Sequence, residues 1–358
     1  MTIGLDDVIA AETALSHVDG EGGRLILRGH DLQELASRVS YETAVTLLWT
    51  DLVPEIGTEA AMQSALGQAR SKAFERMRGL WPNLADLQPV EATRLLLSAL
   101  PDSEPNHAAL ATAATAVAAA MAIRAVRGEA PVAPEPGLGQ AADLLRMIRG
   151  TSPDETEAAA LETYLVTVID HGLNASTFAA RVVASTGAGV FSSVVAGLCA
   201  LKGPLHGGAP GPVLDMLDAI ESTEHAEEWL DAAVARGERL MGFGHRIYRV
   251  RDPRADVLKR AVAKLKGREN RVAFAEEVEA AALRVLSRRK PGKRLDTNVE
   301  FYTALLLDAL QIPREGFTPI FAAGRSAGWV AHALEQARGG RIIRPQSRYV
   351  GPTPSIAA

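Results

Sequence analysis

Cysteine is nearly absent from this chain: Cys199 is the single one among 358 residues. That excludes an internal disulfide framework and any cysteine-built zinc site, and it fits a reducing cytoplasm. Charge of one sign is also lacking, because 38 Lys and Arg stand against 43 Asp and Glu for a net charge of −5. No global attraction to nucleic acid or to an anionic membrane follows, so any anionic ligand must be held by individually placed residues. Residues 1–7 have neither the basic region nor the apolar run of a signal peptide, and no export is expected.

Long apolar runs are scarce as well. Residues 182–201, between Arg181 and Lys202, carry no charge and are about long enough to cross a bilayer. Ser185, Thr186, Ser192, Ser193 and glycines 187, 189 and 197 lower the hydropathy of the stretch, so it is expected to be a buried helix and not a membrane span. Cys199 lies inside it without an adjacent base, which argues against a nucleophilic thiol. The common nucleotide and metal signatures are missing too. Gly242-x-Gly244 and Gly187-x-Gly189 lack the third glycine and the βαβ setting of a dinucleotide fingerprint, and there is neither a P-loop nor a His-Glu-x-x-His helix.

What is present is an ordinary globular composition, 47% hydrophobic and 23% charged, on a chain long enough for two lobes. Leu15-Ser16-His17-Val18 and Arg24-Leu25-Ile26-Leu27 flank a glycine-rich turn and predict a small hairpin. Helical periodicity dominates thereafter, as in Leu32, Leu35, Ala44, Leu47 and Leu48, and again in Phe274, Val278, Ala281 and Val285. Ser152-Pro153-Asp154-Glu155 reads as a cap, a first-turn proline and a capping-box acid ahead of a helix over 158–169. The alanine-rich stretch 108–123 is read as helix from its propensity. The fold class is mainly α. Proline and glycine interrupt the helices at 128–139, 203–212 and 311–319, and a smaller domain is expected between the second and third breaks.

Two of the breaks hold chemistry. Leu205-His206-Gly207-Gly208-Ala209 and Gly242-Phe243-Gly244-His245-Arg246 each set a histidine among glycines, which let backbone and ligand approach closely. Arg249, Arg251 and Arg254 follow the second. Histidines beside clustered arginines suit a polarised carbonyl on an anionic substrate. Asn298-Val299-Glu300-Phe301-Tyr302 adds a carboxylate, which by itself reads as a helix-start acid favoured by the macrodipole.

Taken together the segments resemble the citrate synthase family along essentially the whole chain. They are Glu12-Thr13-Ala14 with Asp19-Gly20-Glu21, His171-Gly172-Leu173-Asn174-Ala175-Ser176-Thr177, the stretch 201–209, the stretch 242–248 with Asp252-Pro253-Arg254, the stretch 298–302, and Arg325 followed by Arg344-Pro345. The resemblance implies condensation of acetyl-CoA with oxaloacetate and hydrolysis of the thioester formed. Glu300 would be the base, His206 the partner of the thioester carbonyl and His245 the group that polarises the ketone. Oxaloacetate would be held by His171, Arg254, Arg325 and Arg344, the last contributed by the second subunit of a homodimer. CoA, a co-substrate and not a resident cofactor, would meet Gly242, Gly244, Arg249 and Lys293, the last within the basic run 288–294. No metal, nucleic acid or membrane is implied, and the location expected is cytoplasmic.

The fold implied is a large helical domain of residues 1–209 and 312–358 and a small one of 210–311, closing over the site. One position departs from the family, which usually has aspartate where this chain has Glu300. The alternatives are therefore a 2-methylcitrate synthase using propionyl-CoA, or a weakly active or non-catalytic paralogue that binds CoA or dicarboxylate.

Overall fold

The structure, a computed structural model, describes residues 8–104, 107–207, 210–245 and 247–352. The acidic N-terminal stretch 1–7, Gly208 and Ala209 of the first glycine loop, and Arg246 of the second lie outside the described residues.

The chain begins with an antiparallel sheet. β1 (Ser16–Asp19) pairs with β2 (Arg24–Leu27) in the expected hairpin, and β2 pairs in turn with β3 (His30–Asp31). Two residues are too few for alternation to announce a strand, so the third was not legible. Gly22 N–H donates to the Asp19 carboxylate at 2.8 Å and Gly23 takes φ 63°, which closes the turn.

Helices follow without further strands among the described residues. α1 (Leu32–Ala36), α2 (Tyr41–Leu48), α3 (Glu59–Met77) and α4 (Pro89–Ser98) precede α5 (His107–Val126), which is buried nearly all round. α5 is long and apolar enough to cross a membrane by length and composition, yet 89% of its most apolar window lies inside the protein. Alanine explains both properties: it favours helix and lets neighbouring helices approach closely.

α6 (Gln140–Arg149) and α7 (Glu155–Val168) come next. The cap of α7 is Asp154, which accepts from Glu157 N while Glu157 reaches back to Asp154 N–H, so the capping box starts two residues later than Ser152. Pro153 therefore stands before the cap and not in the first turn. The uncharged stretch 182–201 is likewise not one helix. It divides between α8 (Ala175–Ala184) and α9 (Val190–Leu201), with Gly187 at φ 78° and Gly189 at φ 107° in the break. Asp102 enters that break and accepts from Phe191 N, Ser192 N and Ser192 Oγ; a Cβ on Gly189 would stand 2.4 Å from its carboxylate.

α10 (Pro210–Ile220), α11 (Thr223–Ala235), α12 (Pro253–Val262), α13 (Glu269–Arg289) and α14 (Val299–Ala309) pack largely on one another. α15 (Phe317–Gly339) then packs on α5, α7, α8 and α9, with every residue from Phe317 to Ala333 buried except the half-buried Thr318. α12 and α14 also rest on α7. The breaks near 203–212 and 311–319 fall between α9 and α10 and between α14 and α15.

Candidate active site

His206 sits on the turn after α9. Gly207 N–H returns to the Leu201 carbonyl at 2.9 Å, and a Cβ on Gly207 would lie 2.7 Å from that oxygen, so the turn requires glycine. Thr318 Oγ1, at the start of α15, donates to the Gly207 carbonyl at 3.1 Å. The imidazole Nε2 faces the N-terminus of α8, 2.9 Å from Ser176 Oγ and 3.4 Å from Ser176 N. A backbone N–H can only donate, so Nε2 is the acceptor and the ring proton is assigned to Nδ1. Burial, with Arg325 nearby, pushes the pKa of His206 down to about 4, which keeps it neutral.

His245 is fixed by its own loop. Ile247 N and Tyr248 N donate to Nδ1 at 3.0 and 3.1 Å, which leaves the proton of the neutral ring on Nε2. Burial, with Arg254 beside it, again pushes the pKa down to about 4. Nε2 lies 3.4 Å from an Arg254 Nη2. Two donors this close, with no acceptor between them among the described residues, describe a site for a substrate oxygen. The glycines ahead of the histidine are both needed, with φ 86° at Gly242 and 80° at Gly244, and added Cβ atoms would stand 2.9 Å from Phe301 and Leu295 side-chain carbons.

Arg254 projects from the first turn of α12, whose cap is Asp252 and whose first residue is Pro253. The Asp252 carboxylate accepts from Arg254 N, Nε and Nη2 at 3.1, 3.0 and 2.8 Å, and from Val299 N at 3.1 Å. One carboxylate therefore ties the guanidinium to the start of α14. Burial opposes the charge on Arg254, and Asp252 more than offsets it, so the pKa is raised.

Arg325, fully buried midway along α15, donates through Nε to the Val168 carbonyl at 2.6 Å. Among the described residues its two Nη groups make no hydrogen bond, although burial, eased by Asp170 and worsened by Arg254, pushes its pKa down to about 10. A buried guanidinium with open donors is a receptor for a carboxylate. His171 stands between these groups: its ring centroid is 5.5 Å from that of His245, and its Nε2 is 3.3 Å from Tyr248 Oη. Burial, then Arg254, His245, Arg325 and His206, hold its pKa well below the ordinary value.

Glu300 occupies the first turn of α14, half-buried, its N–H capped by the Asn298 side chain at 3.0 Å. Burial, with Asp252 adding to it and Arg254 and Arg325 opposing, raises its carboxyl pKa to about 7. A carboxyl group poised near neutrality beside two guanidinium groups is what proton abstraction at neutral pH requires.

His171, His245, Glu300, Arg254 and Arg325 are therefore brought together, with His206 joined to them through Arg325. Phe321 links the last two, 4.9 Å from the Arg325 guanidinium and 6.5 Å from the His206 ring. Arg344 is not among them. It is exposed on the irregular segment after α15, which is held by Ile343 N donating to Ser185 Oγ at 3.0 Å. Arg249 and Lys293 are also exposed, on neighbouring loops joined by Arg294 Nη1 donating to the Arg249 carbonyl at 3.4 Å. The Lys293 loop rims a cavity of about 410 Å³ with Ser287, Lys290 and Arg294 among its lining residues. Ser176, Tyr248, Asp252 and Asn298 belong to the site without having been singled out individually. Only Asp252-Pro253 carried a local signal, a cap followed by a first-turn proline.

Over residues 4–346 the chain matches the family model described as citrate synthase, C-terminal domain. It is 37% identical over 372 residues to citrate synthase of Haloferax volcanii, with 97% of this chain and 95% of that one covered. It is 36% identical over 358 residues to 2-methylcitrate synthase of Mycobacterium tuberculosis, with 97% and 90% covered. Among solved structures, citrate synthase of Thermoplasma acidophilum, in a ternary complex with carboxymethyl coenzyme A and oxaloacetate, superposes with a TM-score of 0.88 at 27% identity, covering 99% of this chain and 97% of the other.

Proposed function

Because the chain belongs to the citrate synthase family, we propose that it condenses acetyl-CoA with oxaloacetate at the site built around His206, His245 and Glu300, and hydrolyses the resulting thioester. The single observation that carries this reading is the position of Glu300 in the first turn of α14, held by the Asn298 cap, where burial pushes its carboxyl pKa up to about 7. It shares one electrostatic neighbourhood with two buried guanidinium groups, and His171 and His245 stand beside them.

The steps follow from the donors and acceptors. Oxaloacetate binds through its carboxylates to Arg254 and Arg325, with His171 alongside, and the Arg254–Asp252 pair fixes the guanidinium plane before substrate arrives. His245 Nε2–H donates to the ketone oxygen and makes C2 electrophilic. A thioester methyl is a weak acid, so the Glu300 carboxylate removes its proton while neutral His206 donates to the thioester oxygen as charge develops there. The electron pair of the enol forms the new C–C bond at C2, and the ketone oxygen takes up a proton to become the alcohol. Water then breaks the thioester, releasing CoA and citrate.

CoA phosphates are assigned to the exposed Arg249 and Lys293, with the backbone at Gly242 and Gly244 alongside the thioester arm. The bodies made of residues 1–209 with 312–358 and of 210–311 act as the two jaws that close on the substrates. Arg344, exposed beyond α15, reaches the neighbouring subunit of a homodimer. A cytoplasmic location belongs to the same proposal.

The relative from Mycobacterium tuberculosis supports a second reading, 2-methylcitrate synthesis from propionyl-CoA. The two acyl groups differ by one methylene, which a pocket separates by about 1–3 kcal/mol. A free-thiol release assay with oxaloacetate and either acyl-CoA separates the readings. We expect oxaloacetate-dependent CoA release with a higher kcat/KM for acetyl-CoA. A preference for propionyl-CoA establishes the second reading, and no release with either thioester overturns both.

A further inference from the structure

The base, in the first turn of α14, and the ketone-polarising histidine, on a loop, lie more than fifty residues apart, yet their separation must be held within a fraction of an ångström. One side chain spans the two segments. Asn298 Oδ1 accepts from Glu300 N at 3.0 Å, at the start of α14, and Asn298 Nδ2 donates to the Gly244 carbonyl at 2.8 Å, immediately before His245. The backbone of the same residue completes a clasp: Asn298 N donates to the Gly242 carbonyl at 2.9 Å, Gly244 N donates to the Asp296 carbonyl at 2.7 Å, and Phe243 and Thr297 form an antiparallel bridge. Asn298 is buried at 9% exposure, so its amide has no easy exchange with water.

We propose that Asn298 is a positioning residue that fixes Glu300 and His245 relative to one another, through an amide whose two ends are used for different segments. A helix cap alone needs only the acceptor, and Ser or Asp supplies that about as well as Asn. The donor half, directed at Gly244, has no role in capping α14. Asparagine is the one good capping residue that also carries an N–H long enough to cross to the neighbouring loop. This inference rests on the roles given above to Glu300 and His245.

The test separates the two halves of the amide. Asn298→Ser keeps a capping oxygen and loses the donor to Gly244, and Asn298→Asp keeps the cap and sets a carboxylate against a carbonyl. Oxaloacetate is titrated into each variant by calorimetry, thermal midpoints are recorded, and kcat is measured with acetyl-CoA. We expect Asn298→Ser to stay folded with its thermal midpoint lowered by a few degrees, as the loss of one buried hydrogen bond implies, and to bind oxaloacetate within about threefold of the parent, while kcat falls tenfold or more. Asn298→Asp is expected to fall further. A serine variant with parental kcat overturns the proposal and leaves only a cap. Loss of oxaloacetate affinity in step with kcat also overturns it, since that means general loosening of the site. Turnover of the parent protein is the separate test of the activity itself, and only the variant-to-parent ratio bears on Asn298.

Discussion

At the scale of residues the chemistry turns on Glu300. The family usually places aspartate there, and the extra methylene moves the carboxylate by roughly 1.5 Å, one C–C bond. Burial raises the pKa of the Glu300 carboxyl to about 7. A base must be ionised, and a carboxyl with a raised pKa loses its charge as pH falls through that value. We therefore expect kcat/KM for acetyl-CoA to rise by about tenfold per pH unit below 7 and to level off above it. His206 and His245, with pKa values near 4, remain neutral throughout that range and contribute no limb. A limb near 4.5 instead shows that the carboxyl is hydrated like an ordinary surface acid. Glu300→Gln is expected to lower kcat by about 10²–10⁴-fold, the usual worth of a positioned base, with oxaloacetate affinity largely kept. Glu300→Asp, in a site shaped around the longer side chain, is expected to lose up to about a hundredfold, and a gain in kcat shows that glutamate is a handicap. The histidines, Glu300 and two of the arginines were legible because their order along the chain matches a family. Tyr248 and Asn298 were not, because their contribution lies in what they hydrogen-bond across the fold, and Asp252 was legible only as a cap before a first-turn proline.

At the scale of elements, α15 is held against α7 so closely that two of its glycines have backbone or its carbonyl for neighbours. A Cβ on Gly328 would stand 2.3 Å from the Ile169 carbonyl oxygen and 3.0 Å from Asp170 Oδ1, and one on Gly324 would stand 3.3 Å from Leu165 Cα. The crossing matters to the site, because Arg325 lies between these glycines and Ile169 leads directly into His171. Gly328→Ala is expected to destabilise by about 1–3 kcal/mol, as overpacking does, and to weaken oxaloacetate binding. Denaturant midpoints and titration measure the two effects. Gly137→Ala, where an added Cβ meets nothing within 4 Å, is the control expected to be near neutral. Periodicity made the helices legible but not their ends. A cap depends on which oxygen reaches an N–H, and Asp154 does so where Ser152 was the expectation. The break in the stretch 182–201 was hidden for a related reason, since it is imposed by Asp102 from ninety residues upstream.

At the scale of the whole molecule, one arginine assigned to the oxaloacetate site remains outside it. Arg344 follows the left-handed Gly340 that ends α15, on a segment that leaves Ile342, Tyr349 and Val350 exposed at 57%, 71% and 87%. Apolar side chains that their own chain does not cover, on a segment that also carries Arg344, suit an arm that crosses a two-fold axis. In the homodimer proposed above each site would take Glu300 from one subunit and Arg344 from the other. This can be read without a structure of the dimer. Glu300→Gln and Arg344→Ala are each expected to be nearly inactive alone. After the two are mixed and reassorted, half of the dimers are hybrids, and in each hybrid one site carries both lesions while the other carries neither. Activity should then return to about a quarter of the parent value, from random pairing of two equal pools. If Arg344 served its own subunit, every site in every hybrid would carry one lesion. Mixing would then restore nothing.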